Sequence, residues 1–192
     1  MEIGIWGDSI TYGESDVEAL GWVGRLRRSF SVDEDAQVYN RGICGNTSAD
    51  VLTRFKIEAD SLEPTIIVFA VGINDSKHPL GESTNKVSLE QYQQNMRSLV
   101  TQALGYTKNV FIVGATQVDE EVVAQWKDSS RFFNTEIEKY NTVLKQLAAE
   151  GNLVYIDVFG VMDIKSDLHD GLHPNAGGYE KLSQKIKPLL NL

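Results

Sequence analysis

Four short segments of this chain carry side chains that could together perform acyl transfer. Gly7-Asp8-Ser9-Ile10 follows directly on an apolar run and sets a serine on the turn leaving a strand. A serine hydroxyl is a useful nucleophile only when a positioned base takes its proton. Gly, Asp and Ser are also ordinary turn residues, so this segment needs a partner. Asp170-Gly171-Leu172-His173-Pro174 can supply one. Three-residue spacing across a turn lets the carboxylate meet one ring nitrogen of His173, which fixes the tautomer and leaves the other nitrogen free to accept a proton. Read alone, the histidine is a solvated loop residue.

The other two segments could serve the developing negative charge. In Asn40-Arg41-Gly42-Ile43-Cys44-Gly45-Asn46-Thr47, glycine allows close main-chain approach to an oxyanion. The plainer reading is a tight turn in which Asn46, Thr47 or Ser48 caps a helix. In Gly72-Ile73-Asn74-Asp75, the Asn74 amide can donate to the same oxygen without carrying charge. Its plainer reading is an Asx-turn.

These segments must be positioned by the elements around them. Strands are predicted at Glu2–Trp6, Gln37–Tyr39, Thr65–Val71, Asn109–Gly114 and Leu153–Asp157. The third and fourth are apolar at nearly every position, as in parallel strands covered on both faces. Helices are predicted near Leu20–Phe30, Ala49–Ser61, Ser88–Leu104, Arg131–Glu150 and Ala176–Lys187, with a capping box from Ser88 to Gln91. Alternating strand and helix predicts an α/β fold, a three-layer α/β/α sandwich, in one domain spanning 1–192. In such sheets ligands bind outside the carboxyl ends of the strands. All four segments fall there.

On those residues the chain resembles the GDSL/SGNH hydrolases, from Gly7-Asp8-Ser9 through Gly45 and Gly72-x-Asn74-Asp75 to Asp170-x-x-His173-Pro174. The resemblance implies a flavodoxin-like five-stranded parallel sheet and a serine esterase. Ser9 would be the nucleophile, His173 its base and Asp170 the orienting acid. Ser9 N–H, Gly45 N–H and the Asn74 amide would form the oxyanion hole. Asp8 would be structural, and Cys44 a packing thiol.

Two other readings compete. Asp167, His169, Asp170 and His173 crowd into seven residues, with Asp8 and Asp75 on neighbouring loops, which a metal-dependent phosphoesterase could use. A flavodoxin-like binding module without catalysis would share the fold. The serine reading calls for neither metal nor cofactor. No Gly-x-Ser-x-Gly, P-loop or Gly-x-Gly-x-x-Gly motif occurs.

Composition narrows the partners. With 18 basic and 27 acidic residues the net charge is −9, which disfavours nucleic acid. The single cysteine, Cys44, cannot make an internal disulfide. No apolar run approaches the length of about eighteen residues that a spanning helix needs. Glu2 stands where a secretory signal carries basic residues, so the expected location is cytoplasmic. The expected partner is a small-molecule ester, with no oligomeric state assigned. Loops Ser76–Val87 and Gln117–Arg131 are the expected specificity elements, Trp126 a candidate pocket wall, and acetyl to butyryl the expected acyl range.

Overall fold

A computed structural model of the chain describes residues 1–31, 34–124 and 129–190. Its strands are β1 (Glu2–Gly7), β2 (Gln37–Gly42), β3 (Ile66–Ala70), β4 (His78–Pro79), β5 (Val110–Val113), β6 (Ser130–Arg131) and β7 (Val154–Ile156). Its helices are α1 (Ser9–Tyr12), α2 (Gly21–Arg28), α3 (Ser48–Leu62), α4 (Ile73–Ser76), α5 (Leu89–Ala103), α6 (Asn134–Gly151) and α7 (Ala176–Ile186).

Five strands make one parallel sheet in the order β2-β1-β3-β5-β7. Successive side chains on a strand face opposite sides, and here both sides are apolar. Ile3, Ile5, Ile66, Val68, Phe111 and Val113 face a core completed by Trp22, Val23 and Leu26 of α2 and Tyr179, Leu182 and Ile186 of α7. Trp6, Ile67, Phe69, Val110 and Ile112 face the other core, filled by Val51 and Phe55 of α3, Tyr92, Met96 and Leu99 of α5, and Leu144 of α6. Ile67, Val68 and Phe69 are fully buried, each stabilising the sheet by about 1.5–3 kcal/mol. The expected three-layer α/β/α sandwich is therefore what the chain forms.

The strand order reverses between β1 and β3, which opens a crevice beyond their carboxyl ends. Ser9 follows β1 and Asn74 follows β3, so the topology alone brings those loops together.

Local differences have local causes. β2 extends three residues past its predicted end, because Asn40, Arg41 and Gly42 continue the backbone pairing to Ile5, Trp6 and Gly7 although their side chains are polar. Ser88 caps α5 by accepting from Gln91 N–H, but the Gln91 side chain donates forward to Asn95 instead of back. The full capping box belongs to α3, between Thr47 and Asp50. The two predicted specificity loops are joined by a small antiparallel ladder, β4 with β6.

Candidate active site

The serine turn is built by close packing. A Cβ on Gly7 would lie 2.1 Å from Thr11 Oγ1 and 2.4 Å from the Ala70 carbonyl oxygen, so only glycine lets α1 fold back over the sheet. Asp8 then caps α1, its Oδ1 accepting from Ile10 N–H at 3.0 Å. Burial pushes this carboxyl up to about 6. Ser9 is thus the first residue of a one-turn helix, where the sequence suggested only a turn. At that position its N–H has no preceding helical carbonyl to bond.

His173 arrives from the loop before α7, 164 positions away, and places Nε2 2.9 Å from Ser9 Oγ. Its Nδ1 lies 2.9 Å from Asp170 Oδ2. The other carboxylate oxygen, Oδ1, accepts from Leu172 N–H at 3.1 Å and from His173 N–H at 2.8 Å. Burial works to raise the Asp170 pKa, but the His173 ring, these backbone donors and the attraction of His173 outweigh it and hold the carboxyl at about 2. The carboxylate therefore receives Nδ1–H, and the Nε2 lone pair faces the Ser9 hydroxyl. Such a chain can relay a proton from hydroxyl to imidazole. The loop is braced by His169 N–H donating to the His173 carbonyl and Asp119 N–H to the Gly171 carbonyl, each at 2.8 Å.

Gly45 has φ of 80°, in the left-handed region. A Cβ there would meet nothing within 4 Å. The conformation requires glycine, and the space around it belongs to the cleft. Asn74, within α4, donates from Nδ2 to the Asn46 carbonyl at 3.1 Å and accepts at Oδ1 from Lys77 Nζ at 3.3 Å.

Residues outside the expected triad and oxyanion hole support this side. Asp75, fully buried, accepts Ser48 N–H on both oxygens at 3.0 Å and Ser48 Oγ–H at 2.5 Å, while Asn95 donates to Ser48 Oγ at 2.9 Å. Burial pushes Asp75 up to about 7 against those hydrogen bonds. Arg54 donates to Asn46 Oδ1 at 3.0 Å, the Arg41 carbonyl at 2.7 Å and the Gly7 carbonyl at 3.3 Å, tying the Gly45 loop to the end of β1.

Together these groups line an open cleft of about 300 Å³: Ser9, Glu14, Cys44, Gly45, Asn74, Lys77, Leu172 and His173. A separate small cavity of about 20 Å³, lined by Asp8, Thr11 and Trp22 among others, has room for little more than a water. Cys44 is exposed at the cleft and is not the expected packing thiol; desolvation and the Glu14 carboxylate push it up to about 11, which keeps it protonated. Val118 and Val123, in the loop Gln117–Arg131, are core residues. Trp126 lies outside the described residues.

The acidic crowd does not converge on a point. Asp167 pairs with Lys181 at 2.6 Å, whereas Asp170 turns to His173. Among the described residues no group of three or more His, Cys, Asp or Glu side chains could hold a metal ion, and no helix is long and apolar enough to cross a membrane.

Comparison with known proteins gives concordant matches. The profile of the GDSL-like lipase/acylhydrolase family matches residues 5–181. A multidomain esterase of Ruminococcus flavefaciens is 34% identical over 127 residues, which are 63% of this chain and 15% of that protein. An acetylxylan esterase of Geobacillus stearothermophilus is 26% identical over 200 residues, covering 93% of this chain and 88% of the relative. The crystal structure of a lipase/acylhydrolase from Enterococcus faecalis superposes with a TM-score of 0.82 at 25% identity, covering 98% of this chain and 94% of the other.

Proposed function

The chain belongs to the GDSL-like lipase/acylhydrolase family and is a carboxylic ester hydrolase, and from that premise we propose that residues 1–192 form one catalytic domain in which Ser9, His173 and Asp170 cleave small acyl esters. The observation that carries the assignment is the unbroken chain of two 2.9 Å contacts from Ser9 Oγ through the His173 ring to Asp170.

Ser9 Oγ attacks the ester carbonyl carbon while His173 Nε2 takes the hydroxyl proton. The carbonyl π electrons move to oxygen, and the resulting oxyanion is met by Ser9 N–H, Gly45 N–H and Asn74 Nδ2–H. The tetrahedral centre then collapses. His173 gives its proton to the departing alkoxide, and the acyl group remains on Ser9. Water, deprotonated by the same nitrogen, attacks the acyl-enzyme; the second tetrahedral centre collapses with cleavage of the Ser9 Oγ–acyl bond, Oγ takes the proton back from His173, and the carboxylic acid leaves. Asp170 stays ionised throughout and stabilises the imidazolium.

A short acyl group, acetyl to butyryl, suits the cleft. Leu172 is the one aliphatic side chain among the described residues that line it, so a long acyl chain would find little apolar surface to cover it. The acetyl ester named in the Geobacillus relative supports the same range.

The test is hydrolysis of p-nitrophenyl esters from acetate to octanoate, with fluorophosphonate labelling. Activity should be greatest on acetate to butyrate, the label should sit on Ser9, and Ser9→Ala should abolish turnover while the protein stays folded. Turnover retained in Ser9→Ala, or a label on Cys44, would defeat the assignment.

A further inference from the structure

Among the described residues lining the cleft, Lys77 is the only lysine or arginine. It follows directly on α4, as its C-terminal cap, and its main chain is held by Lys86 N–H donating to the Lys77 carbonyl at 2.8 Å. The ammonium lies over the Phe132 ring, its Nζ 5.9 Å from the centroid. Among the described residues no carboxylate comes within ion-pair distance of the ammonium; its polar partner is Asn74 Oδ1, at 3.3 Å. Burial, with the repulsion of Lys86, lowers the Lys77 pKa against the attraction of Asp75. A partly buried cation with a carboxylate nearby but none in ion-pair contact among the described residues gains little stability from its charge.

The charge bears instead on the amide it touches. An asparagine amide has two orientations related by a half-turn, and only one presents hydrogens to an oxyanion. In the other, the carbonyl oxygen would face the developing charge. An ammonium can only donate and a main-chain carbonyl can only accept. Lys77 on one side and the Asn46 carbonyl on the other therefore demand the same orientation, oxygen toward Lys77 and nitrogen toward Asn46. Asn46 uses one of the two Nδ2 hydrogens, which leaves the second for the cleft. Donation from a charged group to Oδ1 also polarises the amide and strengthens what its N–H groups can give.

We propose that Lys77 is a positioning residue for Asn74, its ammonium holding the amide with nitrogen toward the oxyanion. This rests on the reading of Asn74 as an oxyanion donor, so the experiment separates the two. Four proteins are compared on p-nitrophenyl acetate: the parent, Lys77→Met, Asn74→Ala and the double variant. Asn74→Ala should lower kcat by roughly 10²–10³. Lys77→Met should lower kcat by roughly tenfold with KM unchanged, the size of effect expected of a group acting through another. The double variant should match Asn74→Ala within about twofold, because nothing is left to orient. Lys77→Arg, which keeps a charged donor, should recover most of the loss.

The positioning role is overturned if Asn74→Ala is slow and Lys77→Met is not, or if Lys77→Met raises KM. It is also overturned if the double variant falls by the product of the two single effects. An unchanged kcat in Asn74→Ala removes the oxyanion reading and the proposal with it. Should Lys77→Met not fold, Lys77→Leu, which also removes the donor, allows the same comparisons.

Discussion

Replacing Asp170 by asparagine looks conservative, yet the hydrogen bonds around it make the variant harmful. Leu172 N–H and His173 N–H both point at Oδ1. Two donors aimed at one site admit only an oxygen there, so the asparagine carbonyl must occupy it. Its NH2 then takes the place of Oδ2 and donates to His173 Nδ1. The ring is forced to carry its proton on Nε2, the nitrogen 2.9 Å from Ser9 Oγ, and can no longer accept one from the serine. Removing the productive tautomer should cost about 10³–10⁴ in kcat/KM, or about 4–5.5 kcal/mol. Steady-state hydrolysis of p-nitrophenyl acetate measures the loss, and imidazole ¹⁵N shifts report the tautomer. The same substitution has an acid signature. Asp170 titrates at about 2 in the folded protein against 3.8 as the ordinary value. As pH falls, the unfolded chain takes the proton first, so the stability this carboxylate contributes is present above about pH 4 and lost toward pH 2. For a partly exposed group this amounts to about 1–2 kcal/mol, and Asp170→Asn should lack that loss. The reasoning is refuted if folded Asp170→Asn keeps kcat/KM within about tenfold of the parent, or if its Nδ1 remains protonated.

Asp75 has the opposite sign. Its folded pKa of about 7 lies above the ordinary 3.8, so the folded protein holds the proton longer and this group's contribution to stability falls as pH rises from about 4 to 7. Chemical denaturation across that range should show a more positive slope of unfolding free energy against pH in Asp75→Asn than in the parent; equal slopes would count against the buried acid. Arg25, buried and 2.5 Å from the fully buried Asp16 side chain, should be costly to remove alone. Arg25→Met should lose about 3 kcal/mol by leaving the carboxylate with only the backbone N–H groups of Glu18, Leu20 and Gly21, and Arg25→Met with Asp16→Asn should lose less.

How far such features can be read in a sequence depends on whether they repeat or carry chemistry. β3 was legible because both its faces are covered, which demands an apolar residue at every position from Ile66 to Ala70. That Ser9, His173 and Asp170 meet, with Asn74 in the same cleft, was legible because their types suit one reaction and their segments were placed at strand ends. The tail of β2 was not, since backbone pairing at a sheet edge places no demand on Asn40 or Arg41. α4 and the β4–β6 ladder, four and two residues per element, are too short for any periodicity to register. Arg54 reads as a solvated helical residue paired with Glu58 four positions on, and its three bonds to loop oxygens arise only once α3 is docked. Asp75 was hidden for a related reason: a carboxylate in a sequence gives no sign that it will be buried.

The contact between Ser9 and His173 closes nearly the whole chain on itself. Closing so long a loop carries a large entropic cost, which must be met before the contact is rewarded. During synthesis the serine leaves the ribosome with β1, whereas its base comes 164 residues later, just ahead of α7. On the proposed mechanism the hydroxyl is an ordinary alcohol until the His173 loop reaches it. A chain that lacks that loop should then be silent toward esters, and the onset of hydrolysis during refolding should report when the loop meets Ser9.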